Sequence, residues 1–105
     1  MIPKVDESFF MKTKIYSPAE AEGRLCQELP SWLIDQGHLC RELKTNDWLA
    51  SMALANRISD LAEEADHHPD LLIAWGRVRI SLITHDAGGL TDKDFSLAGA
   101  IEACL

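Results

Sequence analysis

The sequence has no long hydrophobic run. Near its start it holds only the short apolar patch Phe9-Phe10-Met11. A signal peptide needs an apolar core of about 7–15 residues, and a membrane-spanning helix needs about 20. The sequence therefore predicts neither a secretion signal nor a membrane segment. We expect a protein that acts in the cytoplasm and makes no contact with a membrane.

Cysteine is scarce, and its spacing matches no common metal-binding or redox motif. The three cysteines, Cys26, Cys40 and Cys104, are odd in number and widely spaced, and no CxxC motif occurs. This argues against a cysteine-based zinc motif and a thioredoxin-like site. We interpret the cysteines as reduced thiols in a reducing compartment, with a structural rather than a catalytic role.

Basic residues are in the minority. The chain has 17 acidic and 10 basic residues and a formal net charge of -7. Because nucleic-acid-binding proteins usually carry a basic surface, we expect no direct contact with nucleic acid, although a protein partner remains compatible with this charge. The 105 residues suffice for one domain. A core of this size is modest, and self-association would stabilise it.

Local patterns predict three helices and four short strands. Ser17-Pro18 and the pair Thr91 and Asp94 have the residue types that begin helices. The predicted elements are a helix over 19–29, strands over 32–34 and 39–43, a helix from 48 to about 65, strands over 71–75 and 77–84, and a helix over 91–103. Since short turns join the strands in pairs, we predict an α+β fold in which one four-stranded antiparallel sheet has all helices on one face.

The longest helix should contribute most of the helical packing. Its apolar stripe, at a spacing of 3.6 residues, is formed by Trp48, Met52, Ala55, Ser59 and Ala62, with Leu54, Ile58 and Leu61 beside it. We expect residues 17–105 to form a single domain and residues 1–16 to be a flexible tail.

Three of the four histidines lie near the ends of predicted elements. His67 and His68 follow the long helix, and His85 follows the last strand. If Gly76-Arg77 is a two-residue turn, Trp75 faces Val78, and continuing this register places His68 opposite His85. Directly opposed residues have Cβ atoms about 5 Å apart. The hairpin register therefore predicts a histidine cluster.

A histidine cluster is suited to proton transfer. A free imidazole titrates near pH 6.5, and charging one ring disfavours charging its neighbour. Neutral and protonated rings then coexist near neutral pH, which suits a reaction that needs an acid and a base together. Glu63 lies one helical turn before His67 and could orient an imidazole, while Asp66 and Asp94 are further carboxylates near these ends.

Each of these residues also has a purely structural interpretation. Protonated histidines at 67 and 68 would interact favourably with the dipole at the C-terminus of the long helix. Asp94 is explained as a helix cap. Glu63 fits a solvated helix face, His85 a strand end, and Trp75 the core of a hairpin. A zinc site is a further alternative, but neighbouring side chains on an extended segment point to opposite faces, so two adjacent histidines do not easily share one metal ion.

The histidines belong to a longer pattern. It consists of Glu63, His67, His68, Pro69, Trp75, Thr84-His85 and Asp94. The pattern resembles the signature of the pterin-4a-carbinolamine dehydratase family, as do the flanking letters A-D-H-H-P-D and T-H-D-A-G-G-L-T-D. The resemblance covers about residues 17–105. It is specific in the C-terminal half and looser in the N-terminal half, where Leu43 and Thr45 stand at positions that are often aromatic.

The resemblance implies a fold and an activity. Members of this family have a four-stranded antiparallel sheet with helices on one face, and they form dimers or tetramers. They dehydrate 4a-hydroxytetrahydropterin to quinonoid dihydropterin, which recycles the cofactor of aromatic amino acid hydroxylases. The reaction needs no metal ion and no organic cofactor.

The resemblance also implies catalytic roles. His67 and His85 would be the acid–base pair that protonates the leaving 4a-hydroxyl and removes the N5 proton. His68 would bind and place the pterin, and Glu63 would orient His67.

Further residues would bind the substrate or support the site. By the same resemblance, the substrate-binding residues are Asp66, His67, His68, Trp75, Ile83, Thr84, His85 and Asp86. The segment 83–86 would act largely through its backbone groups, and Trp75 would form a wall of the site. Asp94 and Pro69 would support these residues, with helix capping as the larger role of Asp94.

The family also contains proteins that act by binding other proteins. One kind steadies dimers of a homeodomain transcription factor, and a dehydratase-like kind assists Rubisco assembly in bacteria. A binding role needs an exposed surface rather than histidines. Because His67, His68 and His85 are all retained here, the sequence favours a working dehydratase, although a bifunctional protein would retain them too.

Overall fold

The computed structural model describes residues 13–105. The elements in chain order are α1 (Pro18–Glu28), β1 (Leu33–Asp35), β2 (His38–Lys44), α2 (Trp48–Ala65), β3 (Asp70–Ala74), β4 (Arg77–Leu82) and α3 (Asp92–Ala103). This confirms the predicted α+β class and the element order, with boundaries that differ from the predicted ones by a residue or two at most ends.

The four strands form one antiparallel sheet in the order β1-β2-β4-β3. On the central strand β4, the side chains of Val78, Ile80 and Leu82 are fully buried, and they alternate with more exposed residues. They pack with Ile58 of α2 and Ile101 of α3 in one core. Because side chains alternate between the two faces of a strand, this pattern places the helices on one face of the sheet, as predicted.

The start of α1 is fixed by a capping box. The Ser17 hydroxyl accepts a hydrogen bond from the Glu20 backbone N–H, and the Glu20 carboxylate accepts one from the Ser17 N–H. Pro18 occupies the first helical turn, where its missing N–H costs nothing. The preceding Tyr16 donates a backbone hydrogen bond of 2.8 Å to the Leu90 carbonyl and packs against the core. The tail predicted over residues 1–16 otherwise falls on residues 1–12, which lie outside the described residues.

The predicted apolar stripe of α2 is rotated in the structure. The buried residues are Ser51, Leu54, Ala55, Ile58 and Ala62, so the stripe is centred closer to Leu54 and Ile58 than predicted. Trp48 is 47% exposed, and Ser59 is also exposed. A spacing of 3.6 residues fits both the predicted and the observed stripe. In the structure, the stripe that contains Leu54 and Ile58 packs against the sheet.

The predicted register of the second hairpin was wrong by two residues. The turn residues are Trp75-Gly76 rather than Gly76-Arg77, so Ile73 pairs with Val78. Gly76 has φ +81°, which suits glycine at the second position of a tight turn. The ladder ends at Asp70 opposite Ser81, so it does not pair His68 with His85. Because the shift is an even number, the same residues still face the core.

The helices of the described part are short or amphipathic. Within residues 13–105, no helix combines the length and the apolar character needed to cross a membrane.

Candidate active site

A cavity of about 220 Å³ opens at one end of the sheet. It is lined by Asp66, His67, His68, Ile83, Thr84, His85, Asp86 and Lys93. These residues come from the end of α2, the end of β4 and the start of α3. The structure therefore brings together all the expected substrate-binding residues except Trp75, although not by the strand pairing that the sequence suggested.

The end of α2 directs His67 and His68 toward this cavity. Asp66 has φ +49° and ψ +42°, a left-handed conformation. The Asp66 N–H donates to the Glu63 carbonyl at 3.2 Å, and the His67 N–H donates to the Ala62 carbonyl at 3.1 Å. These two bonds make a Schellman motif, which ends the helix and turns the chain sharply. The residue at the left-handed position thus sets where both histidines emerge.

His67 is held by a buried carboxylate. Its Nε2 lies 2.6 Å from Oδ1 of Asp94, whose side chain is fully buried, while the His67 side chain is 11% exposed. A carboxylate at this distance fixes the proton on Nε2 when the ring is neutral. The other ring nitrogen, Nδ1, makes no hydrogen bond to residues 13–105 and is not sealed from solvent. Nδ1 is therefore the atom that can exchange a proton in the cavity.

Asp94 is itself fixed by two threonines. Its Oδ2 accepts hydrogen bonds from the Thr91 backbone N–H at 2.9 Å and from the Thr84 hydroxyl at 2.8 Å. The Thr84 and Thr91 hydroxyl oxygens lie 2.7 Å apart, and since the Thr84 proton goes to Asp94, Thr91 donates to Thr84. The predicted capping box of Thr91 and Asp94 is present. Asp94 thus caps α3 with one oxygen and holds His67 with the other.

His85 stands on a tight loop between β4 and α3. Thr84 and Gly89 form an antiparallel bridge, and the Gly88 N–H donates to the Thr84 carbonyl at 2.9 Å. Gly88 has φ +74°, which a side chain would disfavour. A Cβ at Gly89 would lie 2.7 Å from Cγ2 of Ile15, so a side chain at this position would have to displace Ile15. This closed loop leaves His85 exposed at the cavity.

Glu63 contacts a different histidine from the one expected. Its Oε2 pairs with Nε2 of His68, and both side chains are more than half exposed. The expectation that Glu63 orients His67 was therefore wrong, because the Schellman turn moves His67 inward to Asp94. Glu63 and His68 form an exposed pair at the cavity mouth.

Trp75 does not line the cavity. It lies in the β3–β4 turn and is 72% exposed. That turn is at the opposite end of β4 from His85, a separation of about 25–30 Å at about 3.3 Å per residue. The expected wall of the site is thus absent within one chain. Pro69 precedes the edge strand β3, where a missing N–H is tolerated.

Lys93 lines the cavity and was missed by the sequence reasoning. It follows Asp92 at the second position of α3. A cation there opposes the helix dipole, and that local conflict was the signal available in the sequence.

The neighbouring Asp92 is tied down from outside the cavity. Its Oδ1 accepts hydrogen bonds from the Tyr16 hydroxyl at 2.6 Å and from the Arg24 guanidinium at 2.7 Å. Both hydrogen bonds, with the Tyr16 bond as the larger cause, lower the pKa of Asp92 below its usual value. The same bond raises the pKa of Tyr16. This cluster anchors the start of α3, and with it Lys93 and Asp94.

A shared metal site is not formed by the described side chains. Within residues 13–105, no three His, Cys, Asp or Glu side chains come close enough together to hold a metal ion.

Comparisons with known proteins agree with this fold. The family model described as pterin 4 alpha carbinolamine dehydratase matches residues 14–104. A protein of Acidobacterium capsulatum, provisionally named pterin-4-alpha-carbinolamine dehydratase, is 46% identical over 85% of this chain and 96% of its own length. A protein of Thermosynechococcus vestitus with the same provisional name is 47% identical over 81% of this chain and 88% of its own length.

Two solved structures are also similar. A transcriptional coactivator/pterin dehydratase from Brucella melitensis superposes with a TM-score of 0.78 and 25% identity, over 86% of this chain and 97% of that one. A pterin dehydratase-like protein identified as a RuBisCO assembly factor in the alpha-carboxysome shares the fold, with a TM-score of 0.58 and 20% identity over 70% of this chain and 87% of that one. From the family model and the two sequence relatives together, the chain belongs to the pterin 4 alpha carbinolamine dehydratase family.

Proposed function

We propose that this protein dehydrates 4a-hydroxytetrahydropterins to quinonoid dihydropterins by histidine acid–base catalysis, and so recycles the pterin cofactor of aromatic amino acid hydroxylases. Family membership supports the activity. The observation that carries the mechanism is the cavity in which His67, His68 and His85 meet, with His67 held by the buried Asp94.

The reaction loses one water and needs one proton donor and one proton acceptor. The 4a-hydroxyl takes a proton and leaves as water, while N5 loses its proton and forms a double bond to C4a. One of His67 and His85 donates the first proton, and the other accepts the second. Together they carry the same number of protons before and after, and exchange with solvent restores each ring.

The geometry of His67 suits either half of this exchange. With Nε2 bound to Asp94, a neutral His67 presents Nδ1 as an acceptor, and a protonated His67 presents Nδ1–H as a donor. The Asp94 contact holds the ring in one orientation. Less conformational entropy is therefore lost when the ring and the substrate reach the reactive geometry. His68 and its partner Glu63 would bind and place the pterin at the exposed side of the cavity.

The test follows the decay of freshly made 4a-hydroxytetrahydropterin by ultraviolet absorbance. The protein should accelerate decay over buffer, and His67→Ala and His85→Ala should each lose about 10²–10⁴-fold of the rate. His38→Ala is the matched control because His38 lies on β2, outside the cavity. A folded protein that leaves decay at the buffer rate would contradict the proposed reaction.

A protein-binding role is the second candidate, alone or beside catalysis. Three large apolar side chains are exposed near one another: Trp48 and Leu49 begin α2, and Trp75 lies in the β3–β4 turn, with exposures of 47%, 76% and 72%. The Thr45 N–H donates to the Gly76 carbonyl at 2.9 Å, which joins these two segments. Exposed apolar patches of this kind mark interaction surfaces. If the decay assay fails on folded protein, this patch becomes the leading functional site.

We place this activity in the cytoplasm. The supporting observation is that Cys26, Cys40 and Cys104 are all free thiols, including the exposed Cys26. Exposed thiols persist in a reducing compartment. Fractionation of the native host cells, followed by detection of the chain with an antibody, tests this location.

A further inference from the structure

Lys93 lies between three adjoining cavities. It lines the histidine cavity, a second cavity of about 240 Å³ with Thr13, Thr84, Asp86 and Ala87, and a third of about 220 Å³ with Thr13, Lys14, Thr91 and Asp92. Thr84 and Asp86 are shared between the first two, and Thr13 between the last two. The three cavities thus form one trough that starts at the histidines and passes Lys93.

Lys93 is placed against its local electrostatic preference. It is the second residue of α3, where the helix dipole favours an anion. Its ammonium makes no ion pair with any residue of the described range 13–105. A local rule that is broken without compensation is expected at functional sites. A bound ligand would supply the missing compensation.

The reacting atoms determine which part of a pterin reaches Lys93. C6 of a pterin is bonded to N5, and N5 is next to the reacting C4a. When C4a and N5 face His67 and His85, the substituent on C6 projects directly beside them. The trough past Lys93 is where this substituent can lie.

The polar groups of the trough fit hydroxyl groups. Lys93 can only donate hydrogen bonds, and the Asp86 carboxylate can only accept them. Asp86 has no hydrogen-bond partner among residues 13–105, whereas Asp92 is engaged by Tyr16 and Arg24. A hydroxyl accepts from one neighbour and donates to another, so it satisfies Lys93 and Asp86 together.

We propose that Lys93 is a specificity-determining residue that selects pterins with a hydroxylated C6 side chain over pterins with an apolar one. This inference rests on the proposed function for the orientation of the ring. A hydrogen bond from a charged donor is worth enough for about a tenfold preference at this exposed position.

The experiment compares two substrates that differ only at C6. The ratio of kcat/KM for the 6-dihydroxypropyl and 6-methyl 4a-hydroxytetrahydropterins is measured for the unmodified chain, Lys93→Met and Lys93→Arg. We expect a ratio of about ten, falling to about one in Lys93→Met and partly kept in Lys93→Arg. Lys44→Met on β2 is the matched control and should keep the ratio. An unchanged ratio in Lys93→Met would overturn the proposal.

Binding separates this proposal from the proposed reaction. The affinities of the stable 7,8-dihydropterins with 6-dihydroxypropyl and 6-methyl groups are measured by calorimetry on the same variants. If turnover is absent but the unmodified chain prefers the hydroxylated ligand and Lys93→Met does not, the reaction fails and the role of Lys93 stands. If turnover is present but neither ligand is preferred in either assay, the reaction stands and the role of Lys93 is rejected.

Discussion

The buried carboxylate of Asp94 has two functions, helix capping and the positioning of His67, and each uses a different oxygen. Oδ2 caps α3 through the Thr91 N–H, and Oδ1 holds Nε2 of His67. The capping half is readable from the sequence because Thr91 and Asp94 are three residues apart. The other half depends on His67, which is 27 residues away in the chain. Single residues in this site therefore carry more function than their local pattern reveals.

At this scale we predict a large catalytic effect of Asp94→Asn. An amide has only one oxygen. When that oxygen accepts from the Thr91 N–H, the NH2 group faces Nε2 of His67 and donates to it, so the proton of the neutral ring moves to Nδ1 and the ring loses the tautomer that Asp94 fixes. We expect kcat to fall about 10²-fold or more, with a smaller change in KM. The measurement is kcat and KM across pH 5–9, with the exposed Asp60→Asn on α2 as control. A kcat within twofold of the unmodified chain would contradict this role.

A second prediction concerns the Thr84 hydroxyl. Thr84→Val keeps the shape but removes the donor to Asp94 Oδ2 and the acceptor for Thr91. We expect a loss of about 1–3 kcal/mol in the free energy of unfolding and a lower kcat with a changed pH profile. Thr84→Ser retains the hydroxyl and should restore the pH profile. Urea unfolding and the decay assay measure both effects, and a valine variant with the original pH profile would refute the coupling.

At the scale of elements, helix ends position the chemistry. The Schellman motif after α2 places His67 and His68, and the bridge between Thr84 and Gly89 places His85. The site therefore lies on the connections at one end of the sheet, and the helices and strands hold those connections at fixed distances. A change that alters a helix end should move the histidines even when it touches none of them.

The left-handed Asp66 gives a prediction about α2. Glycine adopts this conformation at no steric cost, whereas alanine is strained there by about 1 kcal/mol. Asp66→Gly should therefore be more stable than Asp66→Ala by about 1 kcal/mol. At Asp60 in the middle of α2 the order should reverse, because glycine costs about 1 kcal/mol relative to alanine inside a helix. Urea unfolding of the four variants measures which of glycine and alanine is the more stable at each position. The same ranking at Asp66 and Asp60 would contradict the left-handed conformation of Asp66.

The start of α1 gives a prediction about pH. Hydrogen bonds from Lys14 and Ser17 lower the pKa of Glu20 to about 2 from its usual 4.5. Because the pKa is lower in the folded state, the stabilisation is present above pH 4.5 and is lost as the pH falls toward 2. The Tm of Glu20→Gln should thus lie below that of the unmodified chain at pH 6 and approach it near pH 2. Glu22→Gln on the same helix is the control, and a pH-independent Tm difference for Glu20→Gln would contradict the ion pair.

At the scale of the whole molecule, one sheet face and one helix layer leave apolar surface uncovered. The patch formed by Trp48, Leu49 and Trp75 is exposed, and Leu72 on the edge strand β3 is 45% exposed. A chain of 105 residues gains stability by burying such surface. We propose that copies of this chain associate through the patch into the dimers or tetramers that family resemblance implies.

The patch gives a prediction about oligomeric state. Trp75→Ser removes an aromatic side chain that is 72% exposed and lies outside the core, so the fold should persist. We expect sedimentation equilibrium to show an oligomer for the unmodified chain and a shift toward monomer for Trp75→Ser. Leu105→Ser, at the exposed C-terminus, is the control. An oligomer of unchanged affinity in Trp75→Ser would rule out this turn as part of the interface.

The sequence by itself determined the elements and their order, and it singled out His67, His68 and His85, which lie together at the cavity. Helix caps such as Ser17 and Thr91 act within four residues, and the alternation along 77–82 is a property of a single strand, so neighbouring letters suffice to read them. The histidine motif was recognised by its resemblance to a family signature. The caps and the alternation depend on local chemistry, which does not need the rest of the chain.

Only the tertiary structure decided which side chains of the site contact one another. The turn at Trp75-Gly76 set a register two residues away from the expected one, and the left-handed Asp66 sent His67 to Asp94 and His68 to Glu63. The structure also leaves Trp75 exposed and away from the cavity, and it places Lys93 in the cavity lining. Each outcome depends on backbone angles at one or two residues, which swing the following chain through space. Distances between residues far apart in sequence follow from the sum of those angles, and no local pattern contains that sum.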